Sequence, residues 1–227
     1  MTAVNVIDIK DLQFRWPTQT EDCLNLPSLT VKQGDHLFIK GPSGSGKTTL
    51  LNLLSGIFTP QKGQLKVLDT ELSSLSALKR DQFRGDHLGV VFQQFNLLPY
   101  LSTLENILLP LSFSKRRQQR EPHPKERALA LLELLQLPQN LIKRPVNQLS
   151  IGQQQRVAVA RALMGNPEII IADEPTSALD TDNRDRFIEC LFSAADAVNA
   201  TLVFVSHDSH LAKHFTQQLD LSLLNQV

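Results

Sequence analysis

Residues 36–48 read HLFIKGPSGSGKT: a short apolar run, then Gly41-Pro42-Ser43-Gly44-Ser45-Gly46-Lys47-Thr48. The octapeptide fits GxxxxGK[ST], and a helical pattern over residues 47–55 (KTTLLNLLS) follows it directly. Strand, glycine loop and helix together give that spacing a mechanism. The glycines let the backbone turn so that its N–H groups face a phosphate, and the helix N-terminus adds a positive partial charge. Lys47 is then placed to neutralise β- and γ-phosphates, and Thr48 offers a hydroxyl to Mg²⁺. From average residue usage, a chance match is expected in roughly one chain in a hundred, and in fewer with the flanking elements.

Outward from this loop, short apolar runs alternate with helical patterns. Strands are predicted at 4–9, 36–40, 88–92, 168–172 and 201–206, and helices at 47–55, 103–109, 125–136, 151–164 and 183–198. The runs Ile169-Ile170-Ile171-Ala172 and Leu202-Val203-Phe204-Val205 are continuous rather than alternating, which suits parallel strands buried on both faces. The alternation predicts an α/β fold with a mostly parallel sheet. Residues 96–165 are helix-rich and punctuated by Pro99, Pro110, Pro122, Pro124, Pro138 and Pro145, and are expected to form a helical subdomain within one domain spanning 1–227. Residues 114–127, SKRRQQREPHPKER, hold six basic and two acidic residues and are expected to form an exposed loop.

Composition narrows the classes. The chain has 227 residues, 23 Lys plus Arg against 23 Asp plus Glu, 41% hydrophobic and 20% charged residues. Zero net charge argues against binding nucleic acid through bulk positive charge, and the composition is that of a globular chain. The two cysteines, Cys23 and Cys190, build neither a disulfide framework nor a cysteine zinc site. The opening MTAVNVIDIKDLQF has no apolar stretch of signal-peptide length, and no segment approaches the ~18 apolar residues that span a bilayer. Work at a membrane is therefore expected to run through a partner.

Other polar residues fall where such a sheet binds ligands, at strand C-termini. Asp173 and Glu174 end the run at 169–172; one acid suits Mg²⁺ and the next suits polarising a water. His207 ends the run at 201–206 and is placed to donate to a γ-phosphate, while His210 and His214 are read as a solvated helix face. Ser150-Ile151-Gly152-Gln153 before an amphipathic run is a capping box, and its helix N-terminus is also an anion site.

Taken in order, these motifs resemble those of ATP-binding-cassette (ABC) ATPase subunits over nearly the whole chain. The set Gly41, Ser43, Gly44, Ser45, Gly46, Lys47, Thr48 and Thr49 resembles the family's Walker A loop, and Phe92-Gln93 resembles its Q-loop. Leu149-Ser150-Ile151-Gly152-Gln153 is similar to the signature, usually LSGGQ, and Asp173-Glu174 to the Walker B acid and catalytic base. Ser177-Ala178-Leu179-Asp180 resembles the D-loop and His207 the switch histidine. The resemblance implies a P-loop NTPase core with an antiparallel β region at the N-terminus and an inserted helical subdomain. It implies ATP and Mg²⁺, with Thr48, Gln93 and Asp173 around the metal and Glu174, His207 and Gln93 at the chemistry. It also implies a head-to-tail homodimer in which Ser150, Gly152, Gln153 and Asp180 serve the partner's nucleotide. The family stacks adenine on an aromatic after the first strand; Trp16 stands there, with Phe14 the lesser candidate.

The chain departs from the usual signature at Ile151, where a branched side chain replaces glycine. The stretch from Phe92-Gln93-Gln94-Phe95 to Leu104-Glu105-Asn106 is similar to the macrolide-exporter, lipoprotein-releasing and cell-division branch. Phe95, Leu97, Leu98, Tyr100 and Leu101 are then either subdomain core or a docking surface for a permease. The implied protein is an ATPase that powers a separate integral membrane permease, held by it at the cytoplasmic side of the inner membrane. The alternative is an ABC ATPase acting on DNA or ribosomes. Gln93 and Ser150 lie only 57 positions apart with no sustained heptads, which disfavours the coiled-coil members of that class.

Overall fold

The structure is a computed structural model that describes residues 4–177, 179 and 181–227. The elements run β1 (Asn5–Phe14), β2 (Leu24–Lys32), β3 (His36–Lys40), α1 (Lys47–Leu54), β4 (Lys62–Val67), β5 (Thr70–Glu71), α2 (Ala77–His87), β6 (Leu88–Val91), α3 (Thr103–Phe113), α4 (Lys115–Arg120), α5 (Pro124–Leu134), α6 (Ile151–Leu163), β7 (Ile169–Asp173), α7 (Thr181–Asp196), β8 (Thr201–Val205), β9 (Gln217–Asp220) and α8 (Leu221–Leu224). They divide into two compact units, residues 1–84 with 203–227 and residues 85–202.

The first unit holds an antiparallel sheet in the order β2-β1-β4-β5 and the parallel neighbours β8-β3-β9. Strand β1 changes the phase of its burial part-way along. Ile7 and Ile9 are buried, and then the buried phase switches to Leu12 and Phe14. The switch is a bulge: pairing with β4 slips between Lys10 and Gln13, and Asp11 sits at φ 48. One extra residue moves every following side chain to the other face. Trp16 inherits that phase and packs edge-on against Phe14 and Phe58, with ring centroids 5.2 and 4.9 Å away. In β3, Leu37, Phe38 and Ile39 are fully buried, as a strand covered on both faces must be.

The second unit holds β6, β7 and the start of β8 in neighbouring positions, with β6 and β7 parallel and Val91 opposite Ala172. Helix α6 buries Val157, Val159, Ala160 and Leu163, and α5 buries Leu131 and Leu132. Each of the valines and leucines among them contributes about 1.5–3 kcal/mol of burial. Gly89 in β6 lets α6 lie flush on the strand, because a Cβ there would collide with the Ala162 backbone.

Several expectations need correction. The first strand runs on past residue 9 to Phe14, because the bulge rather than the strand end interrupts its alternation. The helix at 103–109 continues through Pro110 to Phe113. The basic stretch at 114–127 is not an exposed loop: it contains α4 and the start of α5, and Arg117 is only 2% exposed. The Arg117 guanidinium donates to Leu88 O at 2.6 Å and Met164 O at 3.1 Å, and burial lowers its pKa to about 10. Arg116 and Arg120 both bond Glu168, at 2.5 and 2.9 Å. Charge density marked the stretch as solvated; a run of arginines instead satisfies backbone carbonyls and a carboxylate inside the unit.

Candidate functional site

In the first unit, β3 delivers the chain to Gly41 and α1 takes it up again at Lys47. The turn closes through Gly46, the helix N-cap, which sits at φ 95. That conformation favours glycine, and a Cβ at Gly46 would lie 2.6 Å from Leu24 Cδ2. The first intrahelical bond is Leu50 N–H to Gly46 O, at 2.8 Å, so the N–H groups of Lys47, Thr48 and Thr49 open the helix toward the loop. Lys47 folds back over the same loop, donating from Nζ to Gly41 O at 2.7 Å and Pro42 O at 2.9 Å. A cation, an open helix N-terminus and two left-handed glycines (Gly44 at φ 83) meet in one turn. Ser45 Oγ is buried against Gly41 with no hydrogen-bond partner.

Ser43, Gly44 and Thr48 are exposed, while the Thr49 side chain turns inward, with Oγ1 3.6 Å from Cys23 Sγ. His207 leaves β8 as the loop leaves β3: Ser206 N–H bonds Ile39 O at 3.2 Å, so both groups emerge at the C-terminal ends of neighbouring parallel strands. His207 is exposed, and Trp16 is half-buried against its two phenylalanines.

In the second unit, Asp173 is the last residue of β7, and Glu174 follows at φ 45, an unusual backbone for a non-glycine residue. Ser177 N–H closes a turn onto Glu174 O at 3.2 Å. Gln93 is exposed two residues past Val91, whose register partner is Ala172, so Gln93 and the acidic pair leave the C-terminal ends of β6 and β7 side by side. Ser150 caps α6: its Oγ accepts from Gln153 N–H at 3.3 Å, and the Gln153 amide accepts from Ser150 N–H at 3.0 Å. Gly152 has open space where a Cβ would go, and Ile151 is 57% exposed. Ser150, Ile151, Gly152 and Gln153 form one wall of a cavity of about 480 Å³ backed by Leu137 and Phe187. Asp180 lies outside the described residues. Among the described residues, no cluster of His, Cys, Asp and Glu forms a metal site of its own.

The apolar cluster after Gln93 splits. Phe95 is buried at 8% exposure, Leu97, Leu98 and Leu101 are half-buried, and Tyr100 stands out at 76%. Two polar residues that sequence reading passed over organise this loop. Asn106 accepts Leu98 N–H at 2.9 Å and returns a bond to Leu98 O at 3.1 Å. Arg161 donates to Asn96 O at 2.7 Å and to Phe95 O at 2.5 Å. An arginine inside the buried stretch of α6 was the available signal.

The profile of the ABC transporter family matches residues 24–177, which contain the phosphate loop, the capped α6 and the acidic strand end. The chain belongs to the ABC transporter family. This cassette is 41% identical over 186 residues to an uncharacterised ABC transporter ATP-binding protein of Methanocaldococcus jannaschii, covering 82% of this chain and 79% of that one. It is 40% identical to the lipoprotein-releasing system ATP-binding protein LolD of Cytophaga hutchinsonii, covering 85% and 86%. It is 39% identical to the macrolide export ATP-binding/permease protein MacB of Burkholderia thailandensis, where it covers 97% of this chain but spans only 33% of that longer protein. Among solved structures, the cassette matches a dimeric post-hydrolysis state of the MJ0796 cassette bound to ADP and Pi, with TM-score 0.81, 36% identity and coverage of 94% and 93%. The cassette is an ATP-hydrolysing part of a membrane transporter. No helix among its described residues is long and apolar enough to cross a membrane.

Proposed function

We propose that the cassette binds ATP with Mg²⁺ and hydrolyses it as one of two identical subunits, driving a separate integral membrane permease of the exporter, lipoprotein-releasing or mechanotransmitting kind. The observation that carries this reading is the loop at Gly41–Thr48, where an open helix N-terminus and the Lys47 ammonium stand at one turn of left-handed glycines. That donor set fits a polyphosphate.

In this reading the loop N–H groups hold the phosphates. Lys47 exchanges the Gly41 and Pro42 carbonyls for β- and γ-phosphate oxygens. Thr48, Gln93 and Asp173 are the oxygen donors that would hold Mg²⁺. The metal, when bound, supplies charge neutralisation at the transferring phosphoryl group. Glu174 orients the attacking water and takes its proton, a role worth ~10²–10⁴-fold. His207 donates to the γ-phosphate, and Trp16 offers its indole to adenine. Ser150, Gly152, Gln153 and Asp180 serve the partner subunit's nucleotide, so a cassette alone holds half of each site. The helix-rich stretch 96–165 is the subdomain that meets the permease, with Tyr100 and Phe113 as exposed aromatics, and the permease keeps the cassette at the cytoplasmic side of the inner membrane. The similarity to LolD and MacB supports this branch.

Trp16 is the chain's one tryptophan, so its fluorescence reports on the nucleotide site without a label. Titration with MgATP should quench it saturably, and the same protein should release phosphate with saturating dependence on ATP. Saturable quenching without phosphate release would contradict hydrolysis; turnover with unperturbed fluorescence would remove Trp16 from the site.

A further inference from the structure

The turn after Gln93 has a backbone that its own sequence does not favour. Phe95 and Asn96 sit at φ 59 and 48, two successive non-glycine residues in the left-handed region. For a bulky residue such as Phe95 that conformation costs about 1–3 kcal/mol, and less for asparagine, which adopts it more readily; it persists only where the surroundings dictate it. Local bonds are few: Phe95 N–H to Phe92 O at 2.9 Å and Asn96 N–H to Gln94 O at 2.6 Å. Phe92, Gln93, Gln94 and Asn96 are all exposed, so only the Phe95 ring is anchored by packing.

The remaining hold comes from 65 residues away. The two terminal nitrogens of Arg161 reach the carbonyls of the two left-handed residues, one each. Arg161 is 9% exposed, and burial lowers the pKa of its guanidinium, so placing the cation there has a cost. A planar fork that grips two adjacent carbonyls fixes their peptide planes in a way that one donor does not. The neighbouring residue, Ala162, lies against Gly89 of β6, the strand that leads into the turn. Helix α6 is therefore pinned to the strand on one side and to the turn on the other.

The same helix grips the other catalytic turn. Gln155, fully buried, donates from Nε2 to Pro175 O, directly after the left-handed Glu174. Its Oε1 makes no hydrogen bond. A buried amide left half satisfied is a loss of stability that calls for another reason to be there.

We infer that Arg161 is a positioning residue for Gln93: its two-pronged bond to Phe95 O and Asn96 O sets the turn that places the Gln93 amide for the hydrolytic step. The inference rests on the proposed role of Gln93 and adds the residue that maintains it. The helix capped by Ser150 thereby controls a reactive group of its own subunit.

The test is a double-mutant cycle on the full-length protein, with Arg161→Met, Arg161→Lys, Gln93→Ala and the Arg161→Met/Gln93→Ala pair. Phosphate release gives kcat and KM, and Trp16 quenching gives ATP binding. Arg161→Met should lower kcat by about 10–100-fold, as a small misplacement of a reacting group does, with the ATP concentration for half-quenching changed less than about twofold. Arg161→Lys keeps one donor and should fall between the two. In the Gln93→Ala background, Arg161→Met should cost nothing further, because the group it positions is gone. Multiplicative losses in the double mutant would overturn the inference. If Arg161→Met does not fold while Arg161→Lys has wild-type kcat, the role is structural and the inference fails. Wild-type turnover by Gln93→Ala alone would instead overturn the proposed role of Gln93, and the positioning claim with it.

Discussion

The loop at 41–46 and the loop at 92–101 both leave the C-terminal end of a parallel strand, yet opposite means hold them. The phosphate loop is held by neighbours in sequence: left-handed glycines at 44 and 46, Ser45 N–H on Pro42 O at 3.2 Å, and Lys47 on the Gly41 and Pro42 carbonyls. The Gln93 loop puts ordinary residues into the same left-handed region and is held by Arg161 and Asn106 from two different helices. The first shape is written into eight consecutive residues. The second exists only once α3 and α6 are packed. A loop of the first kind tolerates changes elsewhere in the fold; a loop of the second kind moves with the helices that grip it, which suits a segment expected to meet a permease.

The comparison can be broken at either end. The largest expected effect is at the local loop: Lys47→Ala should reduce phosphate release by at least about 10²-fold through lost electrostatic stabilisation, with an unchanged circular dichroism spectrum. Loss of helical signal together with activity would mean that Lys47 supports the fold and not a ligand. Next is the long-range side. Arg117→Met removes the donor that satisfies the Leu88 and Met164 carbonyls and should lower unfolding free energy by about 2–4 kcal/mol in a urea titration. A change below about half a kcal/mol would show that these carbonyls find water instead.

Glu168 gives the same region a pH signature. Burial pushes its carboxyl up, but the His87 and Arg120 hydrogen bonds and the charges of His87 and Arg116 outweigh burial and hold it at about 2, below the ordinary 4.5. A lowered carboxyl contributes stability in full above pH 4.5, and the contribution is lost as pH falls from there through about 2. The stability difference between wild type and Glu168→Gln, at most about 3 kcal/mol, should therefore shrink across that window. A pH-independent difference would remove the carboxylate from the account.

The smallest effect is expected at Ile151. Its side chain is exposed and the Gly152 position is open, so Ile151→Gly should leave ATP turnover unchanged or raise it by no more than a few fold. A large loss would show that the isoleucine packs against the second subunit or the permease.

What the sequence made legible follows the same division. The strand at His36–Lys40 and the helix starts at Lys47, Thr103 and Ile151 stand where the pattern put them, because local signals define them: an apolar run, a glycine loop, the capping box at Ser150, and at Ser102 a second box that the structure adds. β4 and β9 escaped notice because short, half-polar strands carry almost no periodicity. The burial of Arg117 and Arg161 was hidden because arginine reads as solvent-facing until the carbonyls it satisfies are in view. Trp16 shares the packing of Phe14 because the bulge at Lys10–Asp11 resets the alternation ahead of both, a shift that residue types alone do not announce.

The reading of the cassette as half of a shared ATP site turns on Glu174. Glu174→Gln is nearly isosteric and removes one negative charge, so the phosphates should be held by Lys47 of one subunit and Ser150 of the other without being cleaved. In size-exclusion chromatography with MgATP, the variant should run as a dimer and return toward monomer when ADP replaces ATP, with phosphate release down by ~10²–10⁴-fold. A variant that stays monomeric in MgATP, or that hydrolyses at the wild-type rate, would contradict the shared site or the role of Glu174 as its base.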